Sequence, residues 1–189
     1  MTNWQENLNA LWTELAHDID EASAHVTKSQ SDASKRWHVR ALLNIVEATN
    51  TNLRTSLAEL LVARHQMADT PLDIHQLYLL LDEAVMLRQN GKRRLAPHRL
   101  PLVPLTAFIF RSWAEHLEMD PGQFFSDSGW DSFQKTIKIR NRLTHPKALE
   151  DLNITEEDGS IILAGFNWYK DVMDKLTLER AKLVSGDAS

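Results

Sequence analysis

The chain has 189 residues, 43% apolar and 25% charged, with a net charge of −5, the profile of one ordinary globular domain with a real core. It has no cysteine, which excludes disulfides, thiolate metal sites and a cysteine nucleophile. No apolar run approaches the roughly 20 residues that cross a bilayer, and no basic segment followed by an apolar core opens the chain, so the cytoplasm is the expected location.

In chain order, Trp4 to about Thr27 reads as a helix, with Trp4, Leu8, Leu11, Trp12, Leu15 and Ile19 at helical spacing. After a polar turn, Ser31 or Asp32 caps a long second helix from about Ala33 to Met67. Its buried stripe is Trp37, Ala41, Leu42, Ile45, Val46, Thr49, Leu53, Leu57, Leu60 and Leu61. Glu47 interrupts that stripe and belongs on the polar face or against an arginine. Asp69-Thr70-Pro71 starts a third helix that the apolar pattern carries to about Gln89, where Asn90-Gly91 stops it. Lys92 to Pro104 is basic and reads as an irregular, exposed connection. Leu105 to about Leu117 is apolar nearly all round and is placed centrally.

Asp120-Pro121-Gly122 ends that helix, and Ser128 with Asp131 gives a capping-box-like start to the fifth. A sixth begins at Thr155, with Asp158 three residues on and a stripe of Ile161, Ala164, Trp168, Val172 and Leu176. Val184 to Ser189 reads as a frayed, disordered tail. No run alternates long enough to predict a sheet, and there is no internal repeat. The predicted class is all-α: one domain over residues 1–189, an up-and-down helical bundle with additional helices.

Charge is unevenly spread along these elements. Ala84 to Ala114 holds six basic residues and no acid, and Ser132 to Leu149 holds five and none. Two basic stretches on an acidic body point to a local anion site. The second lies on the fifth helix. At about 100° per residue, Trp130, Phe133, Thr136, Ile137, Ile139 and Leu143 fill one arc, while Lys135, Lys138 and Arg142 fill the opposite one. Asn141 and His145, four apart, share the edge between them. Arg140 falls inside the apolar arc, where an arginine needs an acid, a bound anion or a second subunit. Pro146 ends the helix near His145.

A histidine moves protons near neutral pH, and an arginine offers a permanently charged planar fork suited to phosphate. RNA brings its own nucleophile, the 2′-hydroxyl. A proton carrier and a fixed cation are therefore the minimum equipment for cleaving it. The spacing Arg140-Asn141-x-x-x-His145 resembles the R-N-x-x-x-H signature of the HEPN superfamily (higher eukaryotes and prokaryotes nucleotide-binding domains), many of whose members are metal-independent ribonucleases. The resemblance also covers the architecture, a helical bundle with the motif late in the chain and one helix after it.

It implies an endoribonuclease without cofactor or metal. His145 is the general acid or base, Arg140 stabilises the pentacoordinate phosphorus and Asn141 orients the pair. The implied product is a 2′,3′-cyclic phosphate. The implied partners are RNA and a second copy of the chain, with two motifs facing one cleft; toxin–antitoxin systems, with an antitoxin protein, and phage defence are settings for such an activity. From charge alone, Lys138, Arg142 and Lys147 are candidates for flanking phosphates.

Two alternatives stay open. One is a non-catalytic module of the same type that holds a nucleotide, an RNA or a partner protein. The other is purely structural, with Arg140 paired to Glu47, Asp82 or Glu83 and His145 capping the helix C-terminus. No H-E-x-x-H, Walker loop, G-x-G-x-x-G or nucleophile elbow occurs, which argues against zinc proteases, P-loop enzymes, Rossmann enzymes and serine hydrolases.

Overall fold

The long edge of the molecule is a pair of helices, α1 (Trp4–Ser29) and α2 (Asp32–Ala68), in a computed structural model that describes residues 4–68, 71–97 and 100–185. Ser31 caps α2, its Oγ accepting the Ser34 N–H at 3.2 Å. Most of the predicted α2 stripe is buried, including Ile45, Val46, Leu53 and Leu57, whereas Trp37 stays 39% exposed.

The third element departs from the periodicity. Residues 69–70 lie outside the described residues, and α3 covers only Ile74–Leu81. Asp73 caps it, accepting the N–H groups of His75 at 2.8 Å and Gln76 at 3.1 Å. It ends at Asp82, whose backbone is left-handed at φ 57°, a conformation that Asp and Asn tolerate better than most residues. The expected helix to Gln89 is replaced by β1 (Glu83–Leu87), paired antiparallel with β2 (Arg93–Pro97) in the register Val85 to Leu95. So the expectation of no sheet, and of an irregular segment from Lys92, is corrected. Gly91, at φ 75°, makes the turn that Asn90-Gly91 favours between strands.

Helix α4 (Leu102–His116) begins three residues before its predicted start, with Pro104 in the first turn, where a missing N–H is harmless. Its central position holds, since Ile109, Phe110, Trp113 and Ala114 are at most 1% exposed. A short 3-10 turn (Pro121–Phe124) leads to α5 (Ser128–Thr144). The α5 cap is Asp127 rather than Ser128, with its carboxylate accepting the Gly129 and Trp130 N–H groups at 3.0 and 3.1 Å. A second 3-10 turn (Leu149–Leu152) precedes α6 (Glu156–Ser185). Here the expected capping box forms: Asp158 accepts the Thr155 N–H at 3.0 Å, and Thr155 Oγ1 accepts the Asp158 N–H at 3.1 Å. Of the predicted tail, α6 continues through Ser185, and residues 186–189 lie outside the described residues.

The protein is thus an all-α bundle whose two best-packed pairs are α1 with α2 and α5 with α6. Small residues permit the second pairing. A Cβ on Gly165 of α6 would stand 2.8 Å from the Phe133 Cα of α5. A buried polar chain ties three helices together. The Tyr169 hydroxyl of α6 donates to Asn50 Oδ1 of α2 at 2.8 Å, and Asn50 Nδ2 donates to Thr106 Oγ1 of α4 at 2.7 Å. Among the described residues no helix is long and apolar enough to cross a membrane.

Candidate active site

The α5 wheel is realised in its buried arc, whereas Trp130 and Arg142 are half-buried and Asn141, expected at the edge, is exposed. Phe133, Thr136, Ile137, Ile139 and Leu143 are buried, while Lys135, Lys138 and Asn141 are exposed. Arg140 lies on the apolar arc yet is only half-buried, because it lines an open cleft of about 860 Å³ between α2, α5 and the start of α4. Residues four and seven apart on α2 reach the same cleft from its other wall, namely Glu47, Thr51 and Arg54, with Asn50 at its floor.

Arg140 meets an acid, as its place on the helix requires. Its Nη2 donates to Glu47 Oε1 at 2.6 Å, and its Nη1 donates to Asn141 Oδ1 at 3.3 Å. The pair is not sealed in, since the Arg140 and Glu47 side chains are 34% and 43% exposed. An ion pair so open to water contributes at most about 1 kcal/mol. Its physical effect is to hold the guanidinium against the cleft wall. The remaining guanidinium N–H donors stay available, because an arginine carries five.

His145 is the residue after the last turn of α5. Its N–H donates to the Asn141 carbonyl at 3.0 Å, and at ψ 61° the chain leaves the helix there, as Pro146 dictates. The residue is exposed and lines a shallower hollow of about 580 Å³ with Asn141, Arg142, Lys147 and Asp151. Asn141 borders both cavities. The three motif residues are therefore brought to one end of α5, with arginine and histidine in adjoining recesses on either side of the asparagine.

The flanking cations separate into two kinds. Lys138 lines the cleft and is exposed. Arg142 is already engaged, with its Nη2 donating to Asp158 Oδ2 and to the Asn153 carbonyl, both at 2.9 Å. That clasp fixes the end of α5 to the start of α6, so the expectation that Arg142 holds a phosphate is not what its contacts serve. Burial pushes the Asp158 carboxyl upward, but the Thr155 N–H and the Arg142 guanidinium outweigh it and hold the group below its ordinary range. Lys147 is exposed beside Asp151, whose carboxylate accepts the Lys147 and Ala148 N–H groups at 2.7 and 3.1 Å. Those backbone donors keep Asp151 below the usual carboxylate range.

Sequence reasoning did not place Arg54 at the site, and it offered Asp82 as a partner for Arg140 rather than for Arg54. Arg54 Nη1 lies 3.3 Å from Asp82 Oδ2, closing the cleft at the foot of the hairpin. The spacing Glu47, Asn50, Thr51, Arg54 is a polar stripe at helical period, the one signal that could have exposed this wall. Among the described residues no three His, Asp or Glu side chains group to hold a metal ion. No family model matches the chain, and no curated protein or solved structure matches it.

Proposed function

We propose that the protein is a metal-independent RNA endonuclease of the kind its R-N-x-x-x-H spacing resembles. The observation that carries this reading is Asn141 bordering both the Arg140 cleft and the His145 hollow. A phosphodiester lying across it meets a cationic fork on one side and an imidazole on the other. His145 takes the 2′-hydroxyl proton or supplies one to the departing 5′-oxygen. Arg140 holds the added negative charge on phosphorus with donors fixed in advance. Asn141 and Glu47 aim that guanidinium. One imidazole handles one proton at a time, so the second is assigned to the motif of a partner copy in a homodimer. Lys138 and Lys147 are exposed at the two recesses and serve flanking phosphates. Such an activity suits a toxin silenced by an antitoxin protein or a phage-defence effector.

A second reading, a non-catalytic module that holds a nucleotide, RNA or protein, is favoured by one observation: Glu47 neutralises Arg140. Incubating the protein with RNA in EDTA separates the two. The endonuclease leaves 2′,3′-cyclic phosphate ends, and His145→Ala slows it by about 10²–10⁴-fold. Absence of cleavage, or cleavage indifferent to His145→Ala, removes the first reading. RNA binding that survives His145→Ala but not Arg140→Ala, without cleavage, establishes the second.

A further inference from the structure

The arginines around the motif are already compensated, which leaves Lys135, Lys138 and Lys147 as its exposed cations without an ion pair among the described residues. Arg140 is paired with Glu47, Arg54 with Asp82 and Arg142 with Asp158. A substrate with one charge per nucleotide needs cations elsewhere, on a protein whose net charge is −5.

The β1–β2 hairpin has them. Between Glu83 and Pro97 it carries Arg88, Lys92, Arg93 and Arg94 against one acid, Glu83, at its base. All four cations are exposed, and none forms an ion pair within the described residues. The foot of the hairpin adjoins the cleft, because Arg54 and Asp82 line both the Arg140 cleft and the hollow under Leu95, Ala96 and Pro97. The four cations lie toward the turn end of the hairpin, with Arg93 opposite Leu87 and Arg94 opposite Met86, while the foot at the cleft carries Glu83 and Pro97. On one face of the hairpin Val85, Leu87 and Leu95 are 47%, 75% and 54% exposed, and the same register sets Arg93 beside them, with Arg94 on the other face. Two strands alone make a marginal sheet; here the hairpin packs on α3 and on no other strand among the described residues.

We infer that this hairpin is a docking arm for single-stranded RNA. It lays bases against Val85, Leu87 and Leu95 beside Arg93, while Arg88, Lys92 and Arg94 attract the flanking phosphates at the turn end and the strand continues past Arg54 to Arg140. The choice of RNA as the polyanion rests on the endonuclease reading; the competing occupant is an acidic segment of a protein.

The test compares wild type, Arg93→Ala/Arg94→Ala and Arg93→Lys/Arg94→Lys by fluorescence anisotropy with a labelled single-stranded RNA 20-mer over a range of salt. Cleavage of a dinucleotide, too short to reach the arm, is followed in parallel. The alanine pair is expected to bind the 20-mer about tenfold more weakly near physiological salt. Its plot of log affinity against log salt should be shallower by about 1.4, from roughly 0.7 for each lost cation. The lysine pair should restore the slope, and melting temperature and dinucleotide cleavage should match wild type. Equal affinity and slope in the alanine pair overturn the arm, as does the absence of RNA binding by wild type at low salt. Unchanged RNA affinity with loss of self-association or of protein capture overturns it in favour of a protein interface. If no variant cleaves RNA but the slope difference persists, the arm stands and the endonuclease reading falls. If cleavage persists and the slopes coincide, the arm alone falls.

Discussion

At the residue scale, the decisive contact is Arg140 with Glu47. Because water reaches both side chains, Glu47→Gln should change stability by less than about 1 kcal/mol. The same substitution frees the guanidinium from its carboxylate, so the cleft should bind inorganic phosphate several-fold more tightly, as read by calorimetric titration. If Glu47 also aims the fork, cleavage should slow although binding improves, a split that a merely structural acid would not give. Arg142 and Asp158 behave otherwise. Asp158 is buried, and its folded-state pKa lies below the ordinary 3.8. Its charge therefore stabilises the protein at pH values above 3.8, and the contribution fades as pH falls through the lower folded value. Asp158→Asn should cost about 1–3 kcal/mol at pH 7. In urea melts, the gap from wild type should shrink below about pH 4.

At the element scale, α5 and α6 approach as closely as their glycines allow. Gly165→Ala drives a methyl group toward the Phe133 backbone, which has no flexible end to yield. The expected loss is about 1–3 kcal/mol, or roughly 2–4 °C of Tm for each kcal/mol, measurable by thermal circular dichroism. These helices were readable because every one buries a stripe at the 3.6-residue period, and Asp158 following Thr155 marked where α6 begins. The hairpin was not. Leu79 to Leu87 is one apolar run interrupted only by Asp82 and Glu83, a pattern a helix accommodates. The break lies in the left-handed backbone of Asp82, and Asn90-Gly91 signals a strand turn as readily as a helix end. At the site, the motif residues were visible in one segment. On the opposing wall, Glu47 was legible only as one of three candidate partners for Arg140, because the two are 93 residues apart and no local pattern selects it; Arg54 was not legible there.

At the scale of the whole molecule, one chain brings a single motif histidine to a reaction that needs an acid and a base. The homodimer proposed above makes activity depend on association. Specific activity should rise with protein concentration across the range where sedimentation velocity shows monomers joining. Full activity in dilute monomer would mean that another group of the same chain handles the second proton. The bundle also connects its cleft to its interior. Asn50 lines the floor of the cleft while accepting from the Tyr169 hydroxyl, and that phenol, pushed above its ordinary pKa by burial, keeps its proton in mildly alkaline solution. The Tyr169 ring stacks on Phe133 at 5.8 Å, just upstream of the motif on α5. An occupant that tugs on the Asn50 carboxamide thus alters the electronic surroundings of a built-in chromophore, so that filling of the cleft can be followed by near-ultraviolet difference absorbance without attaching a dye.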